Sequence, residues 1–280
     1  MIETRITSAT KEVIISCEKP TVLIGERINP TGRKKLTAAL EAGDLSIVRR
    51  DALRQVKYGA DVLDVNVGTS GVDEVELLPE ALKAVTEVTD VPLCIDSDNP
   101  KALEAALKVY KGKPIINSVT GQESMLSEIL PLVKEYGTAV IALTMDDEGT
   151  PNDVDRRTAI AHKIIERADA IGIPREDVIV DCLVMTVAAD TFAAVTTLIT
   201  IRRVREELGV NQSLGASNIS FGLPDRDILN NSFLTLAINA GVSCPVVNVA
   251  KVRPAILATE VLMGRDKYAL RYIRAYRQLH

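Results

Sequence analysis

Short apolar runs recur along the chain about every 25 to 35 residues, each followed by a longer stretch of helical period. The runs begin at Thr21 (TVLIGERIN), Asp61 (DVLDVNVG), Val91 (VPLCIDS), Pro114 (PIINSVT), Ala139 (AVIALTM), Asp177 (DVIVDCL), Gln212 (QSLGASNIS) and Cys244 (CPVVNVA). Their apolar character is continuous, which marks strands buried on both faces, as parallel strands are. Helix punctuation lies between them. Asn99-Pro100 sets an N-cap and a first-turn proline ahead of KALEAALKVY, and Gly209 follows a helix end as its C-cap. Eight strand–helix repeats with no linker and no break in composition predict an α/β fold, a closed (β/α)8 TIM barrel forming one domain over residues 1–280. Residues 1–20 are expected to cap the barrel, with KEVIISC as a strand. Residues 265–280 are expected to form a final basic helix that packs Tyr268, Leu270, Tyr272 and Ile273 onto the barrel or a partner.

Composition narrows the function classes. With 46% hydrophobic and 25% charged residues over 280 positions, the chain can bury a full core. A net charge of -5, no Trp and only 3 Phe argue against nucleic acid or a membrane surface as partner. Glu3 and Lys11 interrupt the N-terminal segment, so it does not read as a signal peptide. The most apolar stretch, Val178 to Ile201, carries Asp181 and Asp190 and does not read as a transmembrane helix. Cys17, Cys94, Cys182 and Cys244 stand far apart with no C-x-x-C pair, which suits buried thiols in a reducing cytoplasm. His162 and His280 are the only histidines, so histidine base catalysis and a resident metal are not expected. No Gly-rich phosphate loop occurs. Lys251, the one candidate for a Schiff-base lysine, lies past the eighth run, where a solvated loop lysine is the better reading.

A barrel's active site lies at the C-terminal ends of its strands, and here nearly every run ends in a polar residue. In order these are Glu26 and Asn29, Asp64 and Asn66, Asp96, Asn117, Asp181, Ser217 and Asn218, and Asn248. Any one of them can be a helix cap or a βα turn residue. Asp64, Asp96 and Asp181, however, lie inside apolar runs, where an unpaired carboxylate is costly. A ring of Asp and Asn suits a planar heterocycle with an amino-pyrimidinone edge, because Asp accepts from ring N–H and NH2 groups while Asn both donates and accepts.

Taken together and in order, LIGERIN, DVLDVNVG, LCIDS, IINSVT, IVDCL and LGASNIS resemble the methyltetrahydrofolate:corrinoid methyltransferases. That family belongs to the pterin-binding barrel superfamily, with dihydropteroate synthase and the folate module of cobalamin-dependent methionine synthase. The likeness runs from about Val22 to Gly264, and TMDDEGTPND and PDRDILNNSFL look like the family's loops. It implies a homodimeric barrel that takes tetrahydrofolate or methyltetrahydrofolate as substrate. Asp96, Asn117 and Asp181 match the residues that hold the pterin, and Asn218 matches the Asn that approaches N5. Glu26, Asn29, Asp64, Asn66 and Ser217 are implied to line the same mouth, with Arg226 near the pterin or the folate tail. The corrinoid (cobalamin) is expected on a separate corrinoid protein, because neither histidine stands in a D-x-H-x-x-G motif.

Two alternatives stand beside this reading. Dihydropteroate synthase shares the pocket, but its S-R-K and Arg-x-His motifs are missing here, where the corresponding strands read SNIS and VVNVAKVRP. A non-catalytic folate-binding subunit of a corrinoid complex would keep the pterin contacts without the group at N5. The direction of methyl transfer is not readable from the sequence.

Overall fold

The computed structural model describes residues 2–279; His280 lies outside the described residues. All eight apolar runs form parallel strands: β3 (Ile24–Ile28), β4 (Val62–Val65), β5 (Leu93–Asp96), β6 (Ile115–Thr120), β7 (Ala139–Leu143), β8 (Val178–Asp181), β9 (Gln212–Ser213) and β10 (Val246–Val247). They pair in chain order, and β10 pairs with β3. A bridge between Gly215 and Val246 joins the last two strands, with Val246 N–H donating to the Leu214 carbonyl at 3.0 Å. The result is the expected α/β barrel.

Helices α1 (Lys34–Glu41), α2 (Ser46–Lys57), α3 (Glu74–Thr86), α4 (Pro100–Val109), α5 (Glu123–Tyr136), α6 (Val154–Ala170), α7 (Ala193–Glu207), α8 (Arg226–Ala240) and α9 (Val249–Leu262) wrap the outside. The Asn99 side chain accepts from Lys101 N–H at 3.1 Å, as an N-cap should. Gly209 follows α7 at φ +66°, a conformation open to glycine at no steric cost.

Strand alternation divides the core into two layers. Leu63, Val65, Leu93, Ile95, Ile116, Val140 and Val180 face the helices. Ile24, Val62, Cys94, Ile115, Ala139, Ile141 and Ile179 fill the barrel, joined by Ile6 and Ile15. Those last two come from a hairpin, β1 (Thr4–Thr7) paired antiparallel with β2 (Glu12–Ile15), which closes the barrel's N-terminal end. Asn211 anchors it by donating to Thr4 Oγ1 at 3.0 Å and to the Ile15 carbonyl at 2.9 Å. KEVIISC is therefore the second strand of the cap, and its partner TRIT carries too short a pattern to be seen alone.

This barrel covers the apolar face of α10 (Leu270–Leu279) and the turn before it only in part: Tyr272 borders an apolar cavity against α9, while Tyr268, Leu270, Tyr272 and Ile273 stay 81%, 57%, 43% and 41% exposed. Ala275 is buried against the barrel, and the turn that sets the helix is held by the Asp266 carboxylate, which accepts from the Arg271 and Tyr272 N–H groups. Among the described residues, no helix is long and apolar enough to cross a membrane.

Candidate functional site

The barrel's inward face changes from apolar to polar in one step. On five of the eight strands a polar residue stands two positions beyond an interior apolar one, on the same face: Ile24 then Glu26, Val62 then Asp64, Cys94 then Asp96, Ile115 then Asn117, Ile179 then Asp181. The polar ring thus lies at the C-terminal mouth, on a dry apolar floor.

Asp64, Asp96, Asn66 and Asn117 form one network. Asn117 Nδ2 donates to Asp64 Oδ1 at 3.1 Å, with Asp96 and Asn66 beside them close enough to act on each other electrostatically. Burial pushes Asp64 up to about 6, opposed by the hydrogen bonds from Asn117, Cys94 and Asp96. Asp96 is raised well above the carboxylate range, first by burial and then by the charge of Asp64. Burial and each other's charge thus make these carboxyls hold a proton more readily than exposed ones do. Glu26 stands across the mouth, its pKa raised by burial, with Ser217 Oγ 3.5 Å from Oε2.

Asp181 is 5% exposed and is pushed up to about 6 by burial, against backbone N–H bonds from Leu183 and Gly215. The Leu183 bond is 2.8 Å long. Leu183 itself has φ +52°, a left-handed conformation unfavourable for a leucine. What holds it is Arg157, a side chain the sequence does not single out. It is 1% exposed, and its guanidinium donates to the carbonyls of Pro151, Cys182 and Leu183 and to Thr197 Oγ1. Thr197 also donates to the Leu183 carbonyl at 3.0 Å. Arg157→Lys keeps the charge but not the planar fork. It is expected to cost roughly 1–2 kcal/mol of stability, as lost buried hydrogen bonds do, and to weaken folate binding about fivefold. Thermal melts and calorimetry on the variant would show it; unchanged folate affinity would detach Arg157 from the site.

The remaining candidates divide. Asn29 accepts from Thr31 N–H at 3.0 Å and Asn66 from Gly68 N–H at 2.9 Å, so both shape turns at the mouth. Arg226 donates to the Ser217 carbonyl at 2.7 Å and to Ser220 Oγ at 3.0 Å and lies 5.7 Å from the Phe221 ring centre. It braces the turn Ala216–Ser220 that carries Ser217 and Asn218. Asn218 is exposed, and its side chain has no hydrogen bond among the described residues. Lys251 is exposed and pairs with Asp227 at 2.7 Å, while His162 pairs with Glu207 at 2.8 Å on the helix layer. Among the described residues, no group of three or more His, Cys, Asp or Glu is placed to hold a metal ion.

Residues 25–248 match the family model described as pterin binding enzyme. The methylcorrinoid:tetrahydrofolate methyltransferase of Eubacterium limosum is 31% identical over 265 residues, covering 92% of this chain and 96% of that protein. The methionine synthase of Mycobacterium leprae is 33% identical over 254 residues, covering 85% of this chain but only 21% of the synthase. In structure, Xanthomonas albilineans dihydropteroate synthase with 4-aminobenzoic acid superposes with a TM-score of 0.70 at 23% identity, covering 93% of this chain and 98% of that one. A Yersinia pestis dihydropteroate synthase gives 0.70 at 16% identity, covering 93% and 100%. At such identities the structural likeness speaks for the fold.

Proposed function

The chain belongs to the pterin-binding enzyme family, and from that premise we propose that it moves a methyl group between N5 of methyltetrahydrofolate and the cobalt of a corrinoid on a separate protein. The Eubacterium relative is named for transfer from methylcorrinoid to tetrahydrofolate. One pocket serves either direction, because both share a transition state. The observation that carries the reading is the ring of Asp64, Asp96, Asn117 and Asp181 above an apolar floor, with Asp64 and Asp181 buried and Asp96 and Asn117 half-buried.

In this reading Asp96, Asn117 and Asp181 take the amino-pyrimidinone edge of the pterin, the carboxylates accepting from N–H groups and Asn117 both donating and accepting. Asp64 holds the Asn117 amide in place. Asp96 must give up its proton to accept from the pterin, so binding releases a proton. Asn218 reaches N5 with its side-chain oxygen, a contact that strengthens as N5 gains positive charge. When the N5–CH3 bond breaks, the methyl leaves without its bonding electrons and N5 takes a proton. The corrinoid, when docked, supplies a cobalt able to accept or donate that methyl group. The loops after β8 and β9 offer it an apolar rim, since Met185, Phe192, Phe221 and Ile228 are 39–68% exposed. The same reading has residues 1–280 acting as one domain in the cytoplasm as a homodimer, supported by exposed Val195, Ile199, Leu236 and Leu262 on the helix layer.

Purified protein with free cob(I)alamin and methyltetrahydrofolate, followed by the cobalamin spectrum, tests the reaction; methylcobalamin with tetrahydrofolate tests its reverse. Conversion in either direction supports the proposal. Folate binding without conversion, even with a corrinoid protein added, would instead favour a binding subunit. Calorimetry in buffers of different ionisation heat is expected to show proton release and affinity that rises with pH through about 6, where Asp181 ionises, and on above it, as Asp96 does. Affinity independent of pH between 5 and 7.5 would remove these carboxyls from the binding step.

A further inference from the structure

Beside the mouth, a cavity of about 190 Å³ opens between the outer face of β3, helix α2 and the first turn of α9. That is room for about six waters at roughly 30 Å³ each. Its wall carries Arg27, Arg33, Arg50, Arg54 and Lys251 against a single carboxylate, Asp51. Asp51 is already engaged by Arg33 at 2.6 Å and Arg50 at 2.9 Å, and Arg54 lies over the Tyr58 ring at 5.8 Å. The Arg27 guanidinium has no hydrogen-bonded partner among the described residues, and burial and the charge of Arg33 push its pKa down. Lys251 is paired with Asp227 at 2.7 Å, but the four arginines share the single carboxylate of Asp51 and crowd one another.

The second observation is a buried donor with nothing to bind. Gln55 lines the cavity and is 4% exposed. Its Oε1 accepts from Arg27 N–H at 2.9 Å, which fixes the amide's orientation, since a backbone N–H can meet only the oxygen. Nε2 is thereby left with its protons unpartnered. Gly25 makes this possible: a Cβ there would lie 2.5 Å from Oε1. The first turn of α9 adds its N-terminal dipole, and its N-cap, Asn248, makes no side-chain cap bond.

From this geometry we infer that the cavity is a subsite for clustered anionic oxygens. Resting on the proposed function, it takes the carboxylates of the glutamates added beyond the first in the folate's tail. Arg27 follows Glu26 directly and points to the opposite side of β3, so a ligand leaving the mouth over the rim between the first and eighth barrel strands meets these arginines next. Phosphate offers the same chemistry from another source.

The test compares monoglutamyl with triglutamyl tetrahydrofolate by calorimetry, on the full protein and on the double variant Arg50→Gln/Arg54→Gln. Both arginines are exposed on α2, and unchanged melting of the variant controls for folding. The triglutamate is expected to bind at least tenfold more tightly to the wild type. That gain should vanish in the variant while monoglutamate affinity stays the same, and it should shrink with added salt. A parallel titration with inorganic phosphate separates the sources. Arginine-dependent phosphate binding without a glutamate gain keeps the anion subsite but makes its occupant a phosphate. Monoglutamate binding with neither a glutamate gain nor phosphate binding overturns the inference and leaves the proposed function standing. No folate binding at all overturns the proposed function, and the phosphate arm then decides the subsite alone.

Discussion

Asn218→Ala is expected to lower turnover by about 10²- to 10³-fold, the range seen when one oriented group that stabilises developing charge is removed. The affinity for methyltetrahydrofolate should change less than about threefold. The structure is the reason for the split. Asn218 is exposed on the turn Ala216–Ser220, makes no side-chain bond that folding needs, and shares no hydrogen bond with the Asp64–Asn117 network proposed to take the pterin edge. What it contributes grows only as N5 becomes charged, and such a group raises the rate rather than the affinity. Asp96→Ala should do the reverse. Removing a carboxylate that accepts from the pterin is expected to weaken binding by roughly 10²-fold, about 3 kcal/mol for charged hydrogen bonds. Single-turnover rates at saturating folate, set beside calorimetric affinities, separate the two. Equal losses of affinity in both variants, with the chemical step intact, would sink the division of roles.

The mouth was legible in the sequence because alternation is strict in a buried parallel strand. VLD, CID, IIN and VIVD each place a polar residue two positions beyond an interior apolar one, and that spacing alone fixes which side chains share the pocket. Asn29 and Asn66 show the limit of such a reading. Both stand at strand ends, yet the carbonyl oxygens of their side chains are spent on local turns, which only the backbone path reveals. The arginine cavity was not legible, because its residues come from β3, the loop after it, α2 and α9 and carry no common spacing. The grip of Arg157 on the loop after Asp181 was hidden for the same reason. The terminal helix was legible as an element, and its tyrosines mark an apolar face, but a pattern does not say which surface covers it.

Asp64→Asn is expected to stabilise the ligand-free protein at neutral pH. Asp64 is 2% exposed and titrates at about 6 against 3.8 for the ordinary side chain. The native state therefore binds a proton more tightly than the unfolded chain does. The stability this contributes is complete below about pH 4 and is lost as pH rises through about 6. Two pH units at 1.36 kcal/mol each put the loss near ~3 kcal/mol. An asparagine still offers an oxygen to Asn117, carries no charge, and relieves Asp96 of the neighbour that raises it. Melting should accordingly rise by roughly 6–12 °C at pH 7.5, at 2–4 °C per kcal/mol, and by almost nothing at pH 3.5. A variant that melts at or below the wild type at pH 7.5 would contradict the cost assigned to this carboxylate. Saturating folate should narrow the gap, because the pterin supplies the donors that the buried acids otherwise lack, and a ligand stabilises most the form that binds it most tightly. A site that must accept hydrogen bonds from its substrate keeps its acids unsatisfied until the substrate arrives, so the stability that Asp64→Asn recovers is the stability folate itself provides.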